Sequence, residues 1–348
     1  MRTTSPFFLG MIVALAGLPL RSESIWVKYG NQVYRGAGDA RSIALSEAEV
    51  ASATGPTALL WNPARLQANE EKYITYAHQE RFSGNVIYDI IGFDLKENFK
   101  SKWSLVLVRE AIQGIPNTTK ALLYDTGSLD AEYERILPEQ VTYFNQVQWA
   151  GVLGISSVLG DWKIGGNAKI LVHQLGKRRG YGIGFDAGLY RNLTPRNTVA
   201  LAIRDATTSW VIWDEGTVER IAPQLHFGDV HVIPIIPDIL EVKAMITAVV
   251  DFAGRTASDD LVLESMGMGG HLRAGLDVKY RRNLHLRFGR NPLTDYSLGL
   301  GLGFPFGNID YAFTPSPFGT VLGTSHYISV NIKTRFLDSI RKKLSEEM

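Results

Sequence analysis

The sequence predicts an all-β fold: a transmembrane antiparallel β-barrel of about fourteen strands, with an N-terminal segment held in its mouth. Three observations carry this expectation. From Glu71 onward the apolar residues recur with period two, in block after block of about ten residues. Beyond residue 20 no stretch reaches the roughly 18 uninterrupted apolar residues of a membrane helix, and only helices and closed barrels satisfy every backbone group in lipid. Trp103, Trp149, Trp162, Trp210, Trp213, Tyr280, Tyr296, Phe304, Tyr311 and Phe336 fall at or near the ends of candidate strands, where aromatic girdles would meet the two lipid interfaces.

The first element reads as an export signal, residues 1–24. Arg2 supplies the charge of its first region, Phe7 to Leu20 is an apolar block too short to span a bilayer, and processing falls near Ser22 or Ser24. Residues 25–70 break the period-two rule. Ile43, Ala44, Ala48, Val50 and Ala51 have rough helical spacing, Gly55-Pro56 makes a turn, and Leu59, Leu60 and Trp61 form an apolar cluster ahead of Asn62-Pro63. A residue before proline is pushed out of the helical region, so Asn62 ends what precedes it. This stretch reads as a short helical hatch inserted into a barrel lumen.

Residues 71–336 read as the barrel. The candidate strands are 71–79, 85–95, 101–111, 146–158, 161–173, 180–191, 197–205, 221–230, 241–252, 270–280, 283–290, 294–304, 307–315 and 325–336. Each is near the roughly 9–11 residues that a tilted strand needs to cross hydrocarbon. The connections within NLTPRN and PFGN are tight, whereas 112–145, 206–220 and 254–269 are long, the habit of outer-membrane barrels. The charged tail, residues 337–348, reads as a short helix or an unstructured end.

Alternation assigns faces. Trp162, Ile164, Ala168, Ile170 and Val172 share one face of their strand, and Tyr181, Ile183, Phe185, Ala187 and Leu189 one face of the next. Leu298, Leu300 and Leu302 oppose Gly299, Gly301 and Gly303, a series that reads as small lumen-facing positions rather than a phosphate loop. A charge on the lipid side at mid-bilayer costs roughly 2–4 kcal/mol, so the polar faces must point inward. The lumen candidates are Lys163, Asn167, Lys169, Asp186, Arg204, Arg273, Asp277, Lys279, His285, Arg287 and Asp310. Pairing across the interior accounts for most of them, and a minority could line a solute path. A secreted β-sandwich also alternates apolar and polar positions, but the aromatics at strand ends decide for the barrel.

Composition narrows the function. The 348 residues carry 36 Lys plus Arg against 35 Asp plus Glu, a net charge of +1, so no global field recruits nucleic acid. Lys177-Arg178-Arg179, a dense basic run, reads as a connection between strands. Cysteine is absent, which excludes disulfides, thiolate catalysis and cysteine-ligated zinc. His78, His173, His226, His231, His271, His285 and His326 are scattered without ligand spacing, and neither G-x-S-x-G nor H-E-x-x-H occurs. The residues give no catalytic, metal or cofactor site, and an enzyme is not expected.

Gly38 to Gln67, GDARSIALSEAEVASATGPTALLWNPARLQ, resembles the amino-terminal signature of the PorV/PorQ family of outer-membrane proteins, which is itself similar to the FadL-type channels. The matching hatch residues include Arg41, Ser42, Leu45, Pro56, Trp61, Asn62, Pro63 and Ala64. Asp310-Tyr311-Ala312-Phe313 and Leu322-Gly323-Thr324-Ser325-His326 are similar to the family's last two strands. The chain departs from the pattern at Ser46 and Glu47, where glycines are preferred, at Gly55, where an acid is usual, and at Arg65, which replaces a glycine.

The resemblance implies a FadL-like barrel in the outer membrane of a Gram-negative type of bacterium, surrounded by membrane lipid. It further implies protein transport: binding or shuttling of secreted cargo in a type IX secretion-like system, together with other secretion components. The alternative is a FadL-like passive channel for a hydrophobic or other small molecule, with the hatch gating diffusion. Neither role implies a cofactor or nucleic acid.

Overall fold

A computed structural model of the chain describes residues 32–98, 100–126, 132–252, 263–265, 268–281, 283–292, 296–316 and 320–347. The export signal expected over residues 1–24 lies outside the described residues. Strands are β1 (Tyr73–Arg81), β2 (Val86–Glu97), β3 (Ser101–Asn117), β4 (Thr142–Leu159), β5 (Trp162–Leu175), β6 (Arg178–Thr194), β7 (Asn197–Arg204), β8 (Ser209–Trp213) and β9 (Val218–Ile221). They continue with β10 (Gln224–Ile236), β11 (Leu240–Asp251), β12 (Leu263–Ser265), β13 (Met268–Tyr280), β14 (Leu284–Arg290), β15 (Ser297–Phe304), β16 (Gly307–Thr314) and β17 (Ser325–Lys333). Fourteen of these form a closed antiparallel ring. Chain neighbours pair throughout, β7 passes to β10 and β11 to β13, and β17 returns to β1 with Tyr73 opposite Lys333 and Glu80 opposite His326. Closure leaves no open edge, which is what a sheet in hydrocarbon requires.

All fourteen ring strands coincide with sequence-assigned segments, shifted at the ends by a few residues. β8 and β9 are additional: they form a hairpin within the connection read as a loop over 206–220, and β8 pairs with β6. β12 lies in the connection read as 254–269. Strand β17 stops at Lys333, and the helix α3 (Thr334–Glu347) begins three residues before the expected tail. At the opposite margin of the ring, the connections after β2, β4, β6, β10, β13 and β15 are two or three residues long, while 118–141 and 205–223 on the other side are long.

Strand register puts the apolar alternation outside. Ile164, Ile170, Val172, Ile183, Phe185, Leu298, Leu300 and Leu302 are exposed on the outer face, as the hydrophobic effect dictates when the outside solvent is hydrocarbon. Trp213 corrects the girdle assignment: it is buried on the inner face of β8, 4.8 Å from the His173 ring, with its indole N–H donating to Glu219. An ionic cluster on β1–β3 also departs from the inward rule. Asp89 faces outward and pairs with His78 at 2.8 Å and Arg109 at 3.1 Å, while Tyr76 donates to it. Asp89 is the fourth residue from the loop-side end of β2, and Arg109 lies 5.9 Å from the Trp149 ring. A charge tolerated at the interface costs only about 0–1 kcal/mol there, which permits this placement.

Residues 32–69 occupy the inside of the ring. They comprise α1 (Gln32–Gly36), α2 (Ala40–Ala44) and two 3-10 turns, Pro56–Leu60 and Pro63–Ala68. This stretch touches the inner faces of strands on all sides. Ala40 N–H donates to Ser329 of β17, Gln79 of β1 to Gly38 O, Asn167 of β5 to Leu59 O, and Arg204 of β7 to Tyr34 O.

Among the described residues, apolar packing falls into three clusters, the smallest joining Ala40, Ile43 and Ala44 to Ala312 and Tyr327. Leu59, Leu60, Trp61 and Leu66 pack with Ile90, Val106, Val108, Val152 and Leu171, while Leu45, Val50 and Ala64 pack with Tyr190, Val230 and Met245. Burying each such large side chain contributes about 1.5–3 kcal/mol. Strands β2 and β3 therefore carry apolar residues on both faces, lipid outside and the inner segment inside. That is the physical reason their alternation is blurred at Ile90-Ile91 and Val106-Leu107-Val108.

Candidate functional site: the lumen and its inner segment

The Asn62-Pro63-Ala64 turn is the best-tied point of the inner segment. Asn62 is fully buried and extended (φ −157°, ψ 108°), and its side-chain oxygen accepts from Ala64 N–H, capping the 3-10 turn that Pro63 starts. Its amide donates to Val50 O at 3.1 Å and Leu189 O at 3.2 Å. One side chain thus joins its own turn, the preceding loop and β6. The wall is cut to fit this turn: a Cβ on Gly165 would stand 2.4 Å from Ala64 N, and one on Gly188 2.0 Å from the Asn62 amide oxygen. Across the lumen, a Cβ on Gly289 would stand 2.4 Å from Ser46 N. Inward glycines on facing walls are therefore the sockets of the inner segment.

The other hatch residues form a second knot. Asp39 caps α2 by accepting from Ser42 N–H and Oγ–H, each 2.8 Å, and its second oxygen accepts from Thr57 at 2.7 Å. Arg41 pairs with the buried Glu49 at 2.8 Å and donates to Ser52 O and Thr54 Oγ1, and the Ser42 hydroxyl, shared between the two acids, also lies 2.6 Å from Glu49. Leu45 sits against Gly275, Pro56 against Gly92, and the Trp61 ring against Gly38. Arg65 donates to Ala53 O at 3.2 Å and lies 4.5 Å over the Tyr190 ring of β6.

All eleven lumen candidates lie on the inward register of their strands, and nine of them fall in three groups. Lys169 bridges Asp186 and Asp205 at 2.6 Å each; Asn167 accepts from Asp186 N–H, and Arg204 holds the main chain of Tyr34, whose ring lies 5.1 Å from the Lys169 amine. On the far wall Arg287 donates to Asp277 at 3.3 Å and Asp310 at 2.6 Å, and His285 contacts Asp277 at 2.8 Å. Between these, Arg273 pairs with Glu47 of the inner segment at 2.7 Å. Lys163 and Lys279 are half-buried near the short-turn margin, outside these networks. Removing one partner of a buried pair costs about 3–5 kcal/mol, so these groups hold the wall and the inner segment in one arrangement.

Beside this packing lies a cavity of about 380 Å³ between the inner segment and the wall, lined by Asp39, Arg41, Lys243, His285, Asp310 and Asn331 among others. It reaches Tyr73, Gly303 and Asn308, at the short-turn margin of the ring. Among the described residues no group of three His, Asp or Glu side chains could hold a metal.

Several participants escaped sequence reasoning. Asp205, at φ 53°, follows β7 and turns its carboxylate into the lumen, whereas period-two counting along the candidate strand 197–205 puts it on the face opposite Arg204. Glu49 is an acid between Ala48 and Val50, and that charge inside an apolar run was the available signal. Ser46 and Glu47 take φ values of 49° and 64°, the left-handed region that favours glycine.

No protein-family model and no curated protein matches the chain. Among solved structures it is similar to the Ralstonia pickettii toluene transporter TbuX, with 12% identity, a TM-score of 0.51, and coverage of 85% of this chain and 98% of that one. The Pseudomonas putida toluene transporter TodX gives 13% identity, a TM-score of 0.49 and coverage of 83% and 95%. A Pseudomonas aeruginosa FadL homologue gives 12%, 0.47, and 85% and 98%. At such identities the likeness bears on fold alone, and of these three TbuX alone exceeds a TM-score of 0.5. The fold is a closed fourteen-stranded antiparallel barrel like that of TbuX.

Proposed function

We propose that the chain is a channel for small solutes in a bacterial outer membrane, exported by residues 1–24, with residues 38–69 as a plug that must shift for passage. The observation that carries this reading is the polar cavity of about 380 Å³ between plug and wall at the short-turn margin. Its lining of charged and amide side chains favours solutes with polar groups over plain hydrocarbons. The likeness in fold to a toluene transporter supports a channel role for the barrel.

The absence of cysteine makes a direct test available. Ser46 Oγ of the plug and Ser297 Oγ of β15 lie 3.1 Å apart, so the double variant S46C/S297C can form a disulfide that fixes the plug to the wall. In liposome-swelling measurements the oxidised variant is expected to pass small polar solutes much more slowly than the same protein after reduction. Equal rates in both states would sink plug movement as the gate.

A second reading, capture of exported proteins as the PorV/PorQ resemblance implies, is favoured by one feature. The 118–141 connection bears exposed Leu123, Tyr124, Tyr133 and Ile136, with the two tyrosine rings 5.7 Å apart edge to face. Exposed tyrosines of this kind suit protein contacts. Co-purification of secreted proteins from native membranes, lost on Tyr124→Ser and Tyr133→Ser, is the expected outcome under that reading.

A further inference from the structure

Helix α3 leaves the barrel with an apolar face that none of the described residues covers. Every residue from Arg335 to Arg341 is exposed, including Phe336, Leu337 and Ile340 at 39%, 38% and 41%. Residues three and four apart share one side of a helix, so Ile340 joins Phe336 and Leu337 in a single stripe. Asp338 falls on the opposite side, and Arg341 lies at the edge of the stripe.

Where the helix starts is fixed. Thr334 N–H donates to Lys72 O at 3.0 Å, and Arg335 pairs with Glu71 at 2.7 Å. Its first turn is continuous with the lipid-facing surface: the Phe336 ring is 5.4 Å from Phe306, which stacks on Phe304 of β15 at 5.2 Å with the planes 8° apart. Phe304 itself is exposed on the outer face of the barrel at the short-turn margin. Outer-membrane barrels keep their short turns on the periplasmic side, so this aromatic row marks the inner leaflet.

We propose that α3 lies along the periplasmic leaflet, with Phe336, Leu337 and Ile340 in the acyl boundary and Arg341 reaching to phospholipid phosphates. The stripe begins where the barrel's own lipid contact ends, and a basic residue beside an apolar stripe matches an anionic headgroup layer. An anchor of this kind holds the barrel's margin, and with it the exit of the lumen, at a fixed depth.

Because the chain lacks cysteine, I340C and D338C each take a single environment-sensitive fluorophore on the full-length protein. The samples are vesicles of phosphatidylethanolamine and phosphatidylglycerol, with a spin-labelled lipid or iodide on both sides of the bilayer as quencher. The label at 340 is expected to be quenched several-fold more by lipid than by iodide, the label at 338 in the reverse order, and Arg341→Glu to weaken the lipid quenching at 340. Equal iodide quenching at both positions would place the helix in water and overturn the proposal. So would shielding of position 340 that grows with protein density, meaning a second copy, or that occurs in native membranes but not in vesicles, meaning a periplasmic protein.

Discussion

Asn62 makes three hydrogen bonds from one buried amide, and each partner belongs to a different piece of structure. An unsatisfied buried group costs about 1–3 kcal/mol, and Asn62→Ala removes a donor from Val50 O and Leu189 O and the acceptor of Ala64 N–H at once. The variant is expected to keep the barrel folded, seen as heat-modifiable electrophoretic mobility, while its basal conductance in planar bilayers rises. Unchanged conductance would show that the turn is held by packing alone. The sequence displayed this residue openly, since a helix-breaking Asn-Pro after an apolar cluster marks a fixed turn. It concealed the bonding partners, because Leu189 is 127 residues away and nothing local identifies it. Glu47 and Asp205 were hidden for a related reason. Each occupies a left-handed backbone position, where side-chain direction follows neither helical nor strand periodicity.

At the scale of elements, strand periodicity was legible wherever the two faces met different surroundings. Leu300 is exposed outside and Gly299 approaches the Ala44 side chain inside, so one strand reads as lipid and socket in turn. Leu300→Arg is expected to impair assembly by roughly 2–4 kcal/mol, the depth-dependent penalty for a cation facing hydrocarbon, measured by urea unfolding in lipid. Normal assembly of that variant would mean the register of β15 is wrong. Periodicity was not legible in β8, whose Trp210 and Ile212 alternate with the inward Val211 and Trp213, apolar on both faces.

The 118–141 connection has its own lock. Glu134 accepts from the backbone of Tyr124 and Thr126 and from the Thr126 hydroxyl. Burial opposes ionisation of this carboxyl, but the hydrogen bonds outweigh it and hold its pKa down to about 2 from an ordinary 4.5. A depressed carboxylate stabilises the fold above its unfolded value, and that contribution is lost as pH falls through the folded one. The Tyr124 and Thr126 amides should therefore stay protected from hydrogen exchange, after correction for the intrinsic rate, at pH 4.5 and lose protection towards pH 2. Loss already at pH 5 would contradict the lock.

At the scale of the molecule, the ring and the inner segment specify each other. Outward leucines select hydrocarbon as the outer solvent. Inward glycines, amides and paired charges select a folded peptide as the filling, and the apolar inner faces of β2 and β3 complete the seat. The same reciprocity explains why the barrel could be read from sequence while the sockets could not: which glycine faces which backbone atom depends on a closure between residues at opposite ends of the chain. The single-channel conductance of a chain lacking residues 40–66 tests this account most directly. A folded barrel with large, stable conductance, against a closed full-length protein, is the expected result; a variant that folds yet conducts no more than the intact chain would contradict it.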